Sequence, residues 1–111
     1  MIEKNEHNDN LIAQYITAIK ETNYYDAHEF LEEIWFPLRF EKNDEVMLLK
    51  GFINAAVSFE LVKKNRIPQS KKTWFNYLKY RPLLYKIDSP YLNTYHSIAR
   101  QIEKLNISMH H

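Results

Sequence analysis

The sequence predicts an all-α fold, a single-domain bundle of about five helices around one central, nearly all-apolar helix. Three observations carry that prediction. Gly occurs once and Pro four times in 111 residues, too few breakers for the many turns an all-β fold requires. Apolar residues recur at helical spacing along most of the chain, and the stretch 44–64 is apolar nearly all round. Hydrophobic residues make up 45% of the chain and aromatics 14%, enough for one core at a length typical of one domain.

A first helix is expected from about Asp9 to Thr22, where Leu11, Ile12, Tyr15, Ile16 and Ile19 form one apolar stripe. Residues 1–8 precede it as a flexible segment. Asn23 offers an N-cap for a second helix, with Asp26 placed to favour its first turn. That helix stops near Phe36, because Pro37 supplies no amide and disfavours helix before it. A polar loop, Glu41–Asn43, leads to the third helix, about Asp44 to Lys64. Gly51 inside it costs roughly 1 kcal/mol relative to Ala, which points to close backbone approach; Ala55 and Ser58 extend the small-residue strip. The Pro68–Ser70 turn opens a fourth helix, about Lys71 to Tyr80, with Trp74, Tyr77 and Leu78 turned inward and Pro82 ending it. Ser89 followed by Pro90 is a start signal for a fifth, carrying Tyr91, Leu92, Tyr95, Ile98, Ala99, Ile102 and Leu105 on one face. Residues 109–111 read as a tail or tag remnant, so His110 and His111 receive no functional weight.

Composition narrows the function classes. Cysteine is absent, which excludes disulfides and thiolate metal sites and fits a reducing, cytoplasmic setting. The N-terminus is polar, without the apolar core of a signal peptide. The run Val46–Val62 is broken by Lys50, Asn54 and Glu60, so it reads as a buried helix and no membrane partner is expected. Net charge is only +1, yet residues 1–45 hold 11 of 14 acidic groups and residues 61–86 hold eight basic groups and none acidic.

On a helical wheel, Ala27, Leu31, Ile34, Trp35 and Leu38 mark the buried face of the second helix, and Asp26, Glu29 and Glu33 point outward. His28 and Glu32, four apart, share a flank beside Trp35 and can touch each other or a common third atom. This is a distorted relative of the H-E-x-x-H zinc helix that lacks the second histidine. Candidate metal ligands are therefore His28 and Glu32 with Glu60 or His96, and Glu29 is the candidate catalytic base. The competing expectation is a partly buried histidine oriented by a carboxylate and serving the fold. Glu60 projects with Leu49, Ile53 and Ala56; either it faces a core and needs a partner, for which His28 is the cationic candidate, or it lies near the helix end and reaches solvent. A second constellation, Lys63, Lys64, Arg66, Lys71, Lys72, Lys79, Arg81 and Lys86, interleaves with Trp74, Tyr77, Tyr80 and Tyr85. Cations among aromatics are the composition of polyanion and nucleic-acid binders, here without a named motif.

The stretch Tyr25-Asp26-Ala27-His28-Glu29-Phe30-Leu31-Glu32-Glu33-Ile34-Trp35 resembles the signature helix of the domain of unknown function 309 family, with Asp26 standing where that pattern has Glu. Lys50-Gly51-Phe52-Ile53-Asn54-Ala55-Ala56 is similar to its second block, with Asn54 at an amide position. Ile87-Asp88 before a helix resembles its C-terminal block. The resemblance spans about residues 12–105 and implies a compact, mostly helical bacterial or archaeal protein without an established activity. It carries over His28, Glu29, Glu32 and Trp35 as signature residues. The chain departs from the pattern at Glu60 and Leu61, where relatives are expected to carry histidine.

Together these features point to a non-catalytic helical module that binds a small ligand or partner near His28, Glu29, Glu32, Trp35, Asn54 and Glu60. A metal-dependent hydrolase using His28 and Glu32 is the first alternative, and a divalent metal its cofactor; no other cofactor is expected. Polyanion binding through residues 63–86 is the second. The acidic first half and the basic stretch also allow a homodimer.

Overall fold

In the computed structural model, which describes residues 1–110, the chain is a five-helix bundle: α1 (Glu6–Lys20), α2 (Tyr24–Trp35), α3 (Asp44–Lys63), α4 (Ile67–Tyr80) and α5 (Leu92–Met109). Short 3₁₀ turns follow α2 at Phe36–Leu38 and α4 at Arg81–Tyr85, each with a proline near its start. The helix α3 is the hub, and α2 and α4 both pack along it. Tyr24 meets Phe59 while Trp35 lies under Lys50, so α2 runs antiparallel to α3. Ser70 bonds Ser58 and Tyr80 approaches Gly51, so α4 is antiparallel to α3 as well.

Apolar positions on α3 fill the interior, with Leu48, Leu49, Phe52, Ala55, Ala56 and Phe59 sealed from solvent. Gly51 is required by the approach of α4, because a Cβ there would sit 3.1 Å from the Cβ of Tyr80. The strip continues at Ser58, whose carbonyl accepts from the Ser70 hydroxyl at 2.8 Å. From the other side, the buried Tyr15 hydroxyl of α1 donates to the Phe52 carbonyl at 2.8 Å. The helix α5 closes the bundle through Tyr95, Ile98, Ala99 and Ile102, and Gln101 reaches the Ile16 carbonyl of α1.

Several expected boundaries are corrected. The helix α1 starts at Glu6, capped by Asn5, whose side chain accepts from the Asn8 amide. Its polar first turn carries no apolar stripe, so periodicity places the start a turn too late. Residues 1–8 do not form a loose segment: Ile2 is 1% exposed, and its amide donates to Glu45. Asn23 precedes α2 without a side-chain capping bond. Thr22 and Asn65 instead end α1 and α3 in the left-handed region, at φ 62° and 57°, and the following amides of Asn23 and Arg66 reach back to Ala18 and Leu61.

The helix α4 begins at Ile67, and Pro68 opens it instead of terminating a loop. Of its expected inward residues, Tyr77 is fully buried and Trp74 half-buried, but Leu78 is 39% exposed. Tyr77 centres the narrow contact with α3, which rotates Leu78 outward. Ser89 accepts from the Tyr91 amide, yet the helix proper starts at Leu92. Met109 belongs to α5 and packs on the core, so the expected tail shortens; His111 lies outside the described residues. No helix among the described residues is long and apolar enough to cross a membrane.

Candidate functional site

Burial of Tyr24, Ala27, Leu31 and Ile34 fixes the rotation of α2, and His28 falls on the edge of that face. Its side chain is 20% exposed. Nδ1 lies 3.0 Å from the Tyr25 carbonyl, an acceptor, so Nδ1 carries the proton of that bond. Nε2 then faces the Glu32 carboxylate at 3.4 Å. A bare Nε2 lone pair against a carboxylate is two acceptors in opposition. The pair is favourable with a proton on Nε2, as an ion pair, or with a cation between the two atoms.

Glu29 departs from the wheel. It is exposed, as expected for its position, but its carboxylate folds back so that ligand atoms of His28, Glu29 and Glu32 lie within 4.8 Å of one another. The Tyr25 ring meets His28 edge-on at 5.3 Å. Hydrogen bonding and charge from Glu29 push the Tyr25 hydroxyl above its ordinary value.

The other expected members lie outside this triad. Glu60 lies near the C-terminal end of α3, reaches solvent, and pairs with Lys64 at 3.9 Å. It makes no ion pair with His28, because the end of α3 gives its carboxylate water and a lysine one turn on. Asn54 turns to the α4 side: its amide donates to the Lys50 carbonyl at 2.8 Å, and its oxygen faces Asn76 at 3.4 Å. His96 sits on α5 with its ring against Tyr85 at 5.9 Å, outside the triad. Trp35 is half-buried against the core. Of the expected cluster, Glu60 shares a cleft with His28 without pairing to it, Glu32 faces His28 from the same helix, and Asn54 lies apart.

What α2 and α3 do form together is a cleft of about 280 Å³. Tyr24, Tyr25 and His28 line it from α2, and Val57, Glu60, Leu61 and Lys64 complete it. Its floor is apolar and its rim carries both signs of charge. Burial, and secondarily the Glu60 charge, raise the Tyr24 hydroxyl above its ordinary value.

The basic stretch divides into committed and free cations. Lys63 donates to the Thr22 carbonyl at 3.1 Å and lies over the Tyr24 ring. Lys64 is taken by Glu60, and Arg81 is held by Glu103, which also accepts from Tyr77. Trp74 stacks on Phe59 and Tyr77, so its ring is part of the core edge and no open platform. Arg66, Lys71 and Lys72 are exposed without a carboxylate partner among the described residues.

One polar centre escapes sequence reasoning. Glu45, in the first turn of α3, is 3% exposed. Its carboxylate accepts from the Ile2 amide at 2.8 Å, the Ser89 hydroxyl at 2.6 Å and the Tyr95 hydroxyl at 2.6 Å. Burial, and then Glu45 itself, push the Tyr95 hydroxyl far above its ordinary value. A usable signal exists, since Glu45 precedes Leu48 by three and Leu49 by four and so shares their buried face.

The chain matches the family described as Domain of unknown function (DUF309) over residues 12–73. The match includes α2 and α3 entire and ends within α4, short of the Ile87–Asp88 block. No curated protein and no solved structure matches the chain. With more than half of its residues matched, the chain belongs to the domain of unknown function 309 family.

Proposed function

We propose that the protein is a non-catalytic binding module whose recognition site is the α2–α3 cleft, and that it works in the bacterial cytoplasm. The observation that carries the site is the shared cleft itself: His28 and Tyr25 of the family-matched helix meet Val57, Leu61 and Lys64 across it. An apolar floor beneath a rim of both signs, on which Lys64 and His28 can meet an anion and Glu60 a donor, suits a small ligand with an apolar body and a polar head, for which an aromatic carboxylate is the first probe. Titration with small aromatic carboxylates, followed by amide NMR, tests this. Saturable shifts centred on Tyr25, His28, Leu61 and Lys64, lost in Val57→Trp, are the expected result. Shifts scattered over the surface, or none at millimolar ligand, would refute it.

A second proposal is a divalent-metal site on the outer flank of α2, which shares His28 with the cleft. What favours it is the approach of His28, Glu29 and Glu32 to within 4.8 Å, with Nδ1 anchored on a carbonyl and Nε2 aimed at carboxylate. Metal-bound histidines are oriented in this way. Calorimetry with Zn²⁺ should give one site that disappears in both His28→Ala and Glu32→Gln. Heat of equal size in His28→Ala would remove the metal from this helix.

A further inference from the structure

Two surfaces of the bundle combine exposed aromatic rings with unpaired charge, and their charges are opposite. The first lies along the end of α2. Phe36 and Phe40, 52% and 82% exposed, flank the Arg39 guanidinium at 3.7 and 4.5 Å. Beside Phe36 is a hollow of about 410 Å³ whose walls include Glu29, Glu32 and Glu33. Glu29 and Glu33 have no cationic partner among the described residues.

The second surface is the outer stripe of α4, where Lys71, Phe75, Leu78 and Lys79 recur at helical spacing. Phe75 is 67% exposed and Leu78 39%. Lys71 and its neighbour Lys72 have no carboxylate in reach among the described residues. Exposed apolar residues that adjoin and are rimmed by charge are the make-up of an interaction surface.

We propose that the α4 stripe of one molecule docks on the acidic, aromatic-walled hollow of α2 in a second copy of this chain. A lysine of the stripe enters the hollow, where Glu29 and Glu33, the carboxylates without a cation of their own, face it beside the Phe36 ring that Arg39 already covers on one side. Phe75 covers Phe36 and Phe40. The helices α2 and α4 pack on α3 and not on each other to any extent, so one molecule leaves both surfaces free. The surfaces differ, which makes the contact heterologous. Opposite charge makes it salt-sensitive.

Sedimentation of the full chain with chelator present, so that metal bridging is excluded, tests this. At low salt the mass should exceed 13.5 kDa and rise with concentration, and high salt should return it to 13.5 kDa. Glu29→Lys/Glu33→Lys and Phe75→Asp should each sediment as monomers with unchanged helical circular dichroism. Mixed in equal amounts they should pair, because one keeps the stripe and the other the hollow, and stop at two chains. If a variant fails to fold, Phe40→Ser and Lys71→Glu supply the same pair of lesions. A wild-type mass of 13.5 kDa at every concentration, or a mixture that stays monomeric, overturns the proposal. So does a monomer that heparin retains through α4, which would assign the stripe to a polyanion.

Discussion

The carboxylates of Glu32 and Glu45 occupy opposite extremes of this fold. Glu32 is 40% exposed in its side chain and faces one histidine at 3.4 Å. Glu45 is buried and accepts three short hydrogen bonds from the N-terminal strap, the Ser89 turn and α5. The first is held loosely by its own helix, so its geometry can yield to a ligand. The second ties together segments 43, 44 and 50 residues away in sequence, and moving it would strand several buried donors. The polar residues that invite a chemical role are thus separate from those that hold the bundle.

The largest expected effect is on alkaline stability, and it probes the buried side of that contrast. Burial raises the hydroxyls of Tyr15, Tyr77 and Tyr95 far above the ordinary value, and burial with Asp9 pushes Tyr91 up to about 12. Their folded values lie above the unfolded value near 10, so the folded chain keeps protons that the unfolded chain has released. Stability from these groups is full below about pH 10 and falls as pH rises through the folded values. For Tyr15 the loss is about 1.4 kcal/mol per pH unit. Denaturant melts followed by circular dichroism between neutral and alkaline pH should show a steady decline that begins near the free-tyrosine value.

Next comes Glu45→Ala, which leaves the Tyr95 and Ser89 hydroxyls and the Ile2 amide without their acceptor. With each stranded buried donor costing about 1–3 kcal/mol, a loss of about 3 kcal/mol or more in chemical denaturation is expected. A loss under about 1 kcal/mol would mean water replaces the carboxylate and the node is not structural. Gly51→Ala is smaller. Helix propensity favours it by about 1 kcal/mol, but the new methyl meets the Tyr80 Cβ, which is tied to backbone and yields little. A net destabilisation of about 1 kcal/mol is expected, and a gain would show that α4 moves freely on α3.

Thr22→Gly carries the opposite sign. A β-branched residue at φ 62° is strained, and glycine relieves it, so stability should rise by about 0.5–1 kcal/mol. Thermal melts resolve a change of that size in a domain this small.

Much of the fold is legible before any coordinates. The apolar circumference of α3 makes it central, Gly51 marks the approach of a neighbour, and the stripe on α5 holds from Tyr95 to Leu105, though Leu92 stays out of the core. The illegible parts depend either on residues distant in sequence or on local side-chain detail that periodicity does not carry. Nothing near Ile2 or Glu45 announces that they meet, and periodicity is blind to the capped polar turn of α1. Leu78 fits an inward face until Tyr77 claims the contact with α3. At the site, the i, i+4 relation of His28 and Glu32 was enough to pair them. Glu29 joined them through its side-chain conformation, which a wheel does not encode. Glu60 shares the cleft with His28 but pairs with Lys64 one turn on, and Asn54 is drawn away by the approach of Asn76.

The central claim is that α2 presents a site on a framework anchored elsewhere. Its most direct test is the stability of His28→Ala beside Glu45→Ala in the same denaturant series. His28 gives up one hydrogen bond to the Tyr25 carbonyl, worth about 1 kcal/mol, and alanine returns up to about 0.7 kcal/mol of helix propensity. The account predicts a loss below about 1 kcal/mol for His28→Ala and several times that for Glu45→Ala. Equal losses, or a larger one at His28, would contradict it and make the signature helix part of the framework.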